Sequence, residues 1–271
     1  MYEAFFGFRE KPFHVTADPA FLYPSREHQE AFAHLIYGIR ERLGFILITG
    51  EVGTGKTTLV KTLIGHLEGP TRSALILNPT LSATELLRAM LRDFGLEARK
   101  GSRSELLVAI EEYLLREAGA EGTAALIIDE AQALSASTLE QVRLLSNVET
   151  AKRKLLQIIL VGQPELDQRL AQDGRLRALQ QRIAVRYRIQ PLRPEEVAEY
   201  IRHRLQAAGP GGPAYFTEEA VAVIAQKSGG VPRSINRLCD QALVAGFVRE
   251  SKTIDESMVE EASGILTTAV S

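Results

Sequence analysis

The stretch LGFILITGEVGTGKTTLVKTL, residues 43–63, passes from an unbroken apolar run through a glycine-rich turn into a segment of helical period. An apolar run of this length bounded by glycine is the signature of a strand buried on both faces of a parallel sheet. The segment from Lys56 to Leu67 predicts the helix that follows. Between them, Gly50-Glu51-Val52-Gly53-Thr54-Gly55-Lys56-Thr57 fits the GxxxxGK[ST] pattern in its required setting of strand before and helix after. Glycines let backbone N–H groups converge on phosphate oxygens, and the helix N-terminus adds a field that favours negative charge. Lys56 is then placed to reach the β- and γ-phosphates, and Thr57 to ligate Mg²⁺ through its hydroxyl. Thr58 would bond the α-phosphate. The ligands implied are ATP and Mg²⁺.

Similar apolar runs recur at Ser73–Leu77, Ala124–Ile128, Leu155–Val161 and Ile183–Ile189, each between stretches of helical period. Helices are predicted at Ala83–Phe94 with Ser82 as N-cap, at Ser104–Arg116 and at Ser137–Val148. This alternation predicts an α/β fold with a mostly parallel central sheet. Beyond Pro191 and Pro194 the strand signal ends. Helices are expected at Glu195–Ala207, Glu218–Lys227, Arg233–Arg249 and Glu256–Gly264, with Gly209–Pro213 as a loop, so a small all-helical domain should follow the sheet. The expected division is an aromatic-rich segment over 1–42 that packs on the core, a P-loop core over 43–192 and a helical lid over 193–271. Ten of the 17 aromatic residues fall in the first 45 positions, which argues that this segment is packed.

The run Leu126-Ile127-Ile128 delivers Asp129 and Glu130 to the C-terminal tip of a buried strand, the edge where ligands gather in open α/β sheets. Asp129 would hold Mg²⁺ through its waters, and Glu130 would orient and deprotonate the attacking water.

Composition narrows the class further. Thirty-two basic against 34 acidic residues leave a formal charge of −2, so no global field advertises a nucleic acid or a membrane. Cys239 has no partner for an internal disulfide, which fits a reducing compartment. No run approaches the roughly 18 apolar residues of a membrane helix. Glu3, Arg9, Glu10 and Lys11 interrupt any signal-peptide core. A cytoplasmic protein, or the cytoplasmic domain of a longer inner-membrane protein, is expected. His14, His28, His34, His66 and His203 read as surface or packing residues, with no HExxH pattern or Cys/His cluster among them.

The N-terminal FFGF, the KPF and DPAFLYPSREHQEAFAHLIYGI stretch of positions 11–39, GEVGTGKTTL, IIDEAQ, VGQPEL and GGVPRSINRL together resemble the AAA+ superfamily. Within it they resemble the general secretion pathway protein A (ExeA-type) ATPases, over nearly the whole chain. The resemblance implies further roles. Gln163 stands where a sensor-1 residue contacts the γ-phosphate or attacking water. Arg182, in Leu179-Gln180-Gln181-Arg182-Ile183, is the first choice for an arginine finger that reaches a neighbour's ATP, with Arg177 the runner-up. Arg233 resembles the sensor-2 arginine, and Tyr23–Gln29 should lie by the adenine. A trans-acting finger implies a nucleotide-dependent oligomer or ring.

Such relatives serve the assembly of envelope secretion or pilus systems, so an envelope-assembly protein partner is implied. In them a transmembrane segment and a peptidoglycan-binding domain follow the ATPase, so this chain is expected to be either a cytoplasmic fragment or a protein that stands alone. The alternative is a DNA-bound regulatory ATPase of the transposition-associated type. Its candidate phosphate contacts are Lys152-Arg153-Lys154 and Arg99-Lys100-Arg103.

Overall fold

The computed structural model describes residues 1–67, 71–77, 80–97, 101–119, 122–151, 153–209 and 215–268. The chain opens with α1 (Tyr2–Phe6) and a 3₁₀ turn over Pro19–Phe21, then α2 (Arg26–Arg40), β1 (Phe45–Gly50) and α3 (Lys56–His66). Next come β2 (Thr71–Ile76), α4 (Ala83–Asp93), α5 (Arg103–Gly119), β3 (Thr123–Ile128) and α6 (Ala136–Leu145). They are followed by β4 (Leu156–Gly162), α7 (Pro164–Gln172), the single turn α8 (Arg177–Gln180) and β5 (Ile183–Ile189). The last part holds α9 (Pro194–Ala207), β6 (Tyr215–Phe216), α10 (Glu218–Ser228), α11 (Pro232–Val248), β7 (Thr253–Ile254) and α12 (Glu256–Thr268).

Two compact units result. One comprises Gln29–Gly50 and Leu59–Ile189, the other Met1–His28, Glu51–Thr58 and Gln190–Ser271. In the first, five parallel strands run in the order β2-β3-β4-β1-β5. Burial explains which sequence signals were strongest. β1, β3 and β4 lie inside the sheet and are buried at every position, whereas the edge strands β2 and β5 alternate between covered and more open residues. A strand covered on both faces holds mostly apolar side chains, hence its near-continuous apolar run, and its few polar members, Thr49, Thr123 and Gln157, are buried with it. The core of this unit gathers Leu47, Ile76, Leu126, Ile128, Ile158 and Leu160 of the sheet with Leu87, Ile110 and Leu139 of the helices. Ser82 starts α4 through a full capping box with Glu85. Such a cap contributes about 1 kcal/mol. Helix α6 begins one residue earlier than its periodicity suggests, because Ser135 accepts from Thr138 N–H and draws Ala136 into the first turn.

The second unit is built from both ends of the chain. Tyr2, Phe6, Phe8, Phe13 and Phe21 share one core with Tyr200, Ile224, Leu238, Leu243 and Val259. Arg204, 5% exposed, ties the aromatic segment down: its side chain donates to the Pro12 carbonyl at 2.6 Å and the His14 carbonyl at 2.9 Å, and lies over the Phe21 ring at 4.6 Å. Cys239 is fully buried here, and burial pushes its thiol well above the usual range. This unit is not wholly helical, since β6 and β7 pair in parallel, Tyr215 with Thr253 and Phe216 with Ile254. Two-residue strands leave too short a pattern for periodicity to register. Most of the Gly209–Pro213 loop lies outside the described residues.

Candidate nucleotide site

Because all five strands are parallel, their C-terminal ends share one edge of the sheet. The strand order sets the ends of β3, β4 and β1 side by side there, bringing Asp129-Glu130, Gln163 and Gly50 to that edge. Asp129 is 2% exposed. Its N–H donates to the Ile76 carbonyl at 2.9 Å, and its Oδ1 accepts from Glu130 N–H at 2.9 Å. Glu130 has φ 52° and ψ 35°, a left-handed conformation costly for a residue with a Cβ and typical of functional turns. The strand stops there, and a 3₁₀ turn over Ala131–Ala133 begins.

That turn carries Gln132, a residue to which sequence reasoning assigned no role. Its Nε2 donates to Glu130 Oε2 at 2.5 Å, and its Oε1 accepts from Gln163 N–H at 3.1 Å. Gln163 in turn donates from Nε2 to the same Oε2 of Glu130 at 3.3 Å. Its only signal in the sequence is its place two residues after Glu130 in IIDEAQ.

The loop Glu51–Thr58 belongs to the second unit. Gly53 at φ 84° and Gly55 at φ 91° occupy the left-handed region, and neither has room for a Cβ. At Gly53 one would meet Arg233 Cβ at 2.5 Å, and at Gly55 it would meet His28 Nε2 at 2.8 Å. The loop folds on the Glu51 carbonyl, which accepts from Thr54 Oγ1 at 2.9 Å and Lys56 Nζ at 2.8 Å. Lys56 is 5% exposed, while Val52 beside it is 49% exposed. Thr57 and Thr58 occupy the first turn of α3.

Two further segments of this unit hold the loop. Arg233 N–H, at the start of α11, donates to the Gly53 carbonyl at 3.2 Å. The His28 ring reaches the Thr54 carbonyl through Nε2 at 2.9 Å and Ser25 Oγ through Nδ1 at 2.6 Å. A carbonyl only accepts, so Nε2 carries the proton and Nδ1 accepts from the Ser25 hydroxyl. His28 is therefore a packing residue, and one that grips the glycine loop.

Burial disfavours the charged form of His28, and burial followed by the nearby Arg204 charge does the same for His14 and His203. A folded-state pKa lowered beneath the ordinary 6.5 means that the unfolded chain binds the extra proton first. Stability is thus complete above 6.5 and falls as pH drops from there through the lowered values. Melting curves should show a midpoint lower by roughly 3 °C or more at pH 5.5 than at pH 7.5, and His28→Gln should lessen the drop. A midpoint that rises on acidification would contradict this account.

The arginines before and within β5 divide by their partners. Arg182, half-buried, donates from one guanidinium nitrogen to Ser146 Oγ at 2.7 Å and Asn147 Oδ1 at 2.6 Å. Arg175 pairs with Asp173 at 2.8 Å and Arg186 pairs with Asp167, whereas Arg177 is exposed at the start of α8. Tyr23 donates its hydroxyl to Glu199 at 2.7 Å and packs edge-on against Tyr200. Of the basic clusters, Lys154 pairs with Glu149 at 3.2 Å and Arg103 donates to Gln141 Oε1. Lys152, Arg99 and Lys100 lie outside the described residues.

Thr57 in the second unit offers a hydroxyl and Asp129 in the first a carboxylate, each an oxygen ligand of the kind Mg²⁺ prefers. Glu10, His14 and Asp18 also bring ligand atoms within 4.8 Å of one another, but the charge of Arg204 beside His14 opposes a cation there.

A parallel sheet with β1 between β4 and β5, a glycine loop leaving β1 and paired carboxylates ending β3 define a P-loop protein of the AAA+ fold. Residues 39–170 match the AAA domain family, which places an AAA domain over that stretch of the chain. The chain is 47% identical to General secretion pathway protein A of Aeromonas hydrophila over 255 residues, 94% of this chain and 46% of that protein. It thus spans just under half the length of this relative. Among solved structures, Cdc6p from Pyrobaculum aerophilum has a TM-score of 0.69 at 18% identity, covering 88% of this chain and 68% of that one. Drosophila ORC bound to DNA gives 0.69 at 21%, covering 94% and 64%, and RuvB of Thermotoga maritima gives 0.60 at 18%, covering 91% and 70%. At such identities these structures share the fold with this chain. No helix among the described residues is long and apolar enough to cross a membrane.

Proposed function

We propose that the chain is a Mg²⁺-dependent ATPase that couples ATP binding and hydrolysis to the assembly of an envelope secretion or pilus system. The observation that carries the hydrolytic part is the parallel sheet edge where Asp129-Glu130, Gln163 and the start of the Gly50–Thr57 loop emerge from adjacent strands. The resemblance to General secretion pathway protein A supports the assembly role. Lys56 and the N–H groups of Gly53, Thr54 and Gly55 would bind the β- and γ-phosphates, and Thr58 the α-phosphate. Glu51 and Val52 complete the loop that encloses them. Thr57 and Asp129 would hold Mg²⁺, which neutralises charge on the phosphates when bound. Glu130 takes the proton of the attacking water, Gln163 orients that water or the γ-phosphate, and Arg233 carries the presence of the γ-phosphate into α11.

The active unit is a nucleotide-dependent oligomer on the cytoplasmic side of the inner membrane, with Arg182 as the finger that reaches the neighbour's ATP. Its bonds to Ser146 and Asn147 are neutral and exchangeable, so they hold the guanidinium without discharging it.

ATPase rate per molecule should climb with protein concentration and ignore duplex DNA. Arg182→Ala should lose at least about tenfold in turnover and recover part of it when mixed with Glu130→Gln, which keeps the finger. If Arg177→Ala shows the loss and recovery instead, the finger is Arg177. Salt-sensitive stimulation by DNA would replace the assembly role with the DNA-bound regulatory alternative.

A further inference from the structure

The Gln132 amide makes two hydrogen bonds in opposite senses. Its Nε2 donates to Glu130 Oε2 at 2.5 Å, while its Oε1 accepts from Gln163 N–H at 3.1 Å. A side-chain amide can do this in only one orientation, because its donor and acceptor ends differ. The backbone beneath is also pinned: Arg169 donates to the carbonyls of Gln132 at 3.2 Å and Leu134 at 2.6 Å. Close packing leaves the amide little choice of position, since a Cβ on Gly162 would stand 2.7 Å from Gln132 Oε1 and 2.9 Å from Leu166 Cδ2. The last residue of β4 is therefore a glycine where Gln132 crosses it.

Both amide donors, from Gln132 and Gln163, address the same oxygen of Glu130. A carboxylate held by one oxygen keeps its direction, and its other oxygen stays available to a water. Glu130 needs that restraint, because its left-handed backbone gives the carboxylate no regular element to rest on.

We propose that Gln132 is a positioning residue for hydrolysis: it fixes the Glu130 carboxylate and locks it to the loop that carries Gln163. This rests on the hydrolytic reading of the site. In this role Gln132 acts through Glu130 and not as a nucleotide ligand itself, so its loss should appear in turnover and leave binding alone.

Three substitutions separate this role from simple packing. Gln132→Met fills the space with neither donor nor acceptor. Gln132→Glu keeps an oxygen for Gln163 N–H but turns a negative charge on Glu130. Gly162→Ala leaves Gln132 in place and forces its amide to swing aside, the far end of a flexible side chain yielding before the strand does. In the full chain with Mg²⁺ and ATP, kcat should fall by about 10- to 100-fold in all three, lowest in Gln132→Glu. KM for ATP, affinity for a fluorescent ATP analogue and melting midpoint should stay near the parent values. A kcat within threefold of the parent in both Gln132 variants overturns the proposal, as does a loss of kcat matched by an equal loss of analogue binding or by a collapse in melting midpoint. A parent protein that binds ATP and never turns it over overturns the hydrolytic reading itself, and the proposal with it.

Discussion

Lys56→Ala should weaken ATP binding by about 100-fold or more, measured by titration with a fluorescent nucleotide. The argument starts from the loop. Glu51–Thr58 presents backbone donors, but these carry only partial charge, and the full positive charge available to the β- and γ-phosphates within the loop is the Lys56 ammonium. That ammonium is 5% exposed and already held at the Glu51 carbonyl, so little side-chain freedom is lost when it engages a ligand. Charge-assisted hydrogen bonds in covered sites contribute about 1.5–3 kcal/mol each, and an ammonium offers two or three. The glycine loop itself should survive, since Gly53 and Thr54 keep their bonds to Arg233 and His28. Undiminished ATP affinity in a folded Lys56→Ala protein would remove the loop from the nucleotide site.

Glu130→Gln should separate binding from turnover. The substitution preserves shape, and one end of the new amide can still accept from Gln132 or Gln163, so the turn after β3 should hold. What disappears is the base. A positioned general base contributes typically 10²- to 10⁴-fold, so kcat should fall by about that range while ATP affinity stays within a few fold. Removing the negative charge also eases the approach of the polyphosphate, which makes slightly tighter binding the expected direction. Single-turnover measurements decide the matter: normal hydrolysis by this variant would show that Glu130 is not the base. The pair of variants is informative because Lys56→Ala should fail before chemistry and Glu130→Gln only at chemistry.

The interior strands were legible because their burial is complete. Residues 45–48 and 124–128 have no polar side chain to confuse the pattern, and Ser82, Ser135 and Pro164 mark the starts of α4, α6 and α7. The edge strands were found from shorter or alternating runs, with bounds less sharp at β2. The β6 and β7 pair escaped because two residues carry no period. Aromatic richness in the first 45 positions predicted burial but could not say which residues would meet those rings, since apolar contact is not directional. Within the site, residues with chemistry in their type, such as Lys56, Asp129 and Glu130, stood out at once. Gln132 and His28 did not, because their importance lies in which atoms they meet. Neither the Thr54 carbonyl at His28 Nε2 nor the Gln163 amide at Gln132 Oε1 is written in local sequence.

The unit formed by the two chain ends has a consequence for how the molecule comes into being. Tyr2 bonds to Asp240 across a sequence separation of 238, and Phe6 shares its core with Leu238 and Leu243. During synthesis residues 1–28 emerge before the segment from Gln190 onward, so their rings have no native place until that segment has been made. The strands of the parallel sheet, all within residues 45–189, are complete before then. Closing so long a loop is slow relative to local contacts, and unburied aromatics invite association with other chains. Residues 1–28 are thus made well before the segment that completes their core and are among the last to find their native neighbours, which makes their rings the stretch most dependent on protection while the rest is still being added.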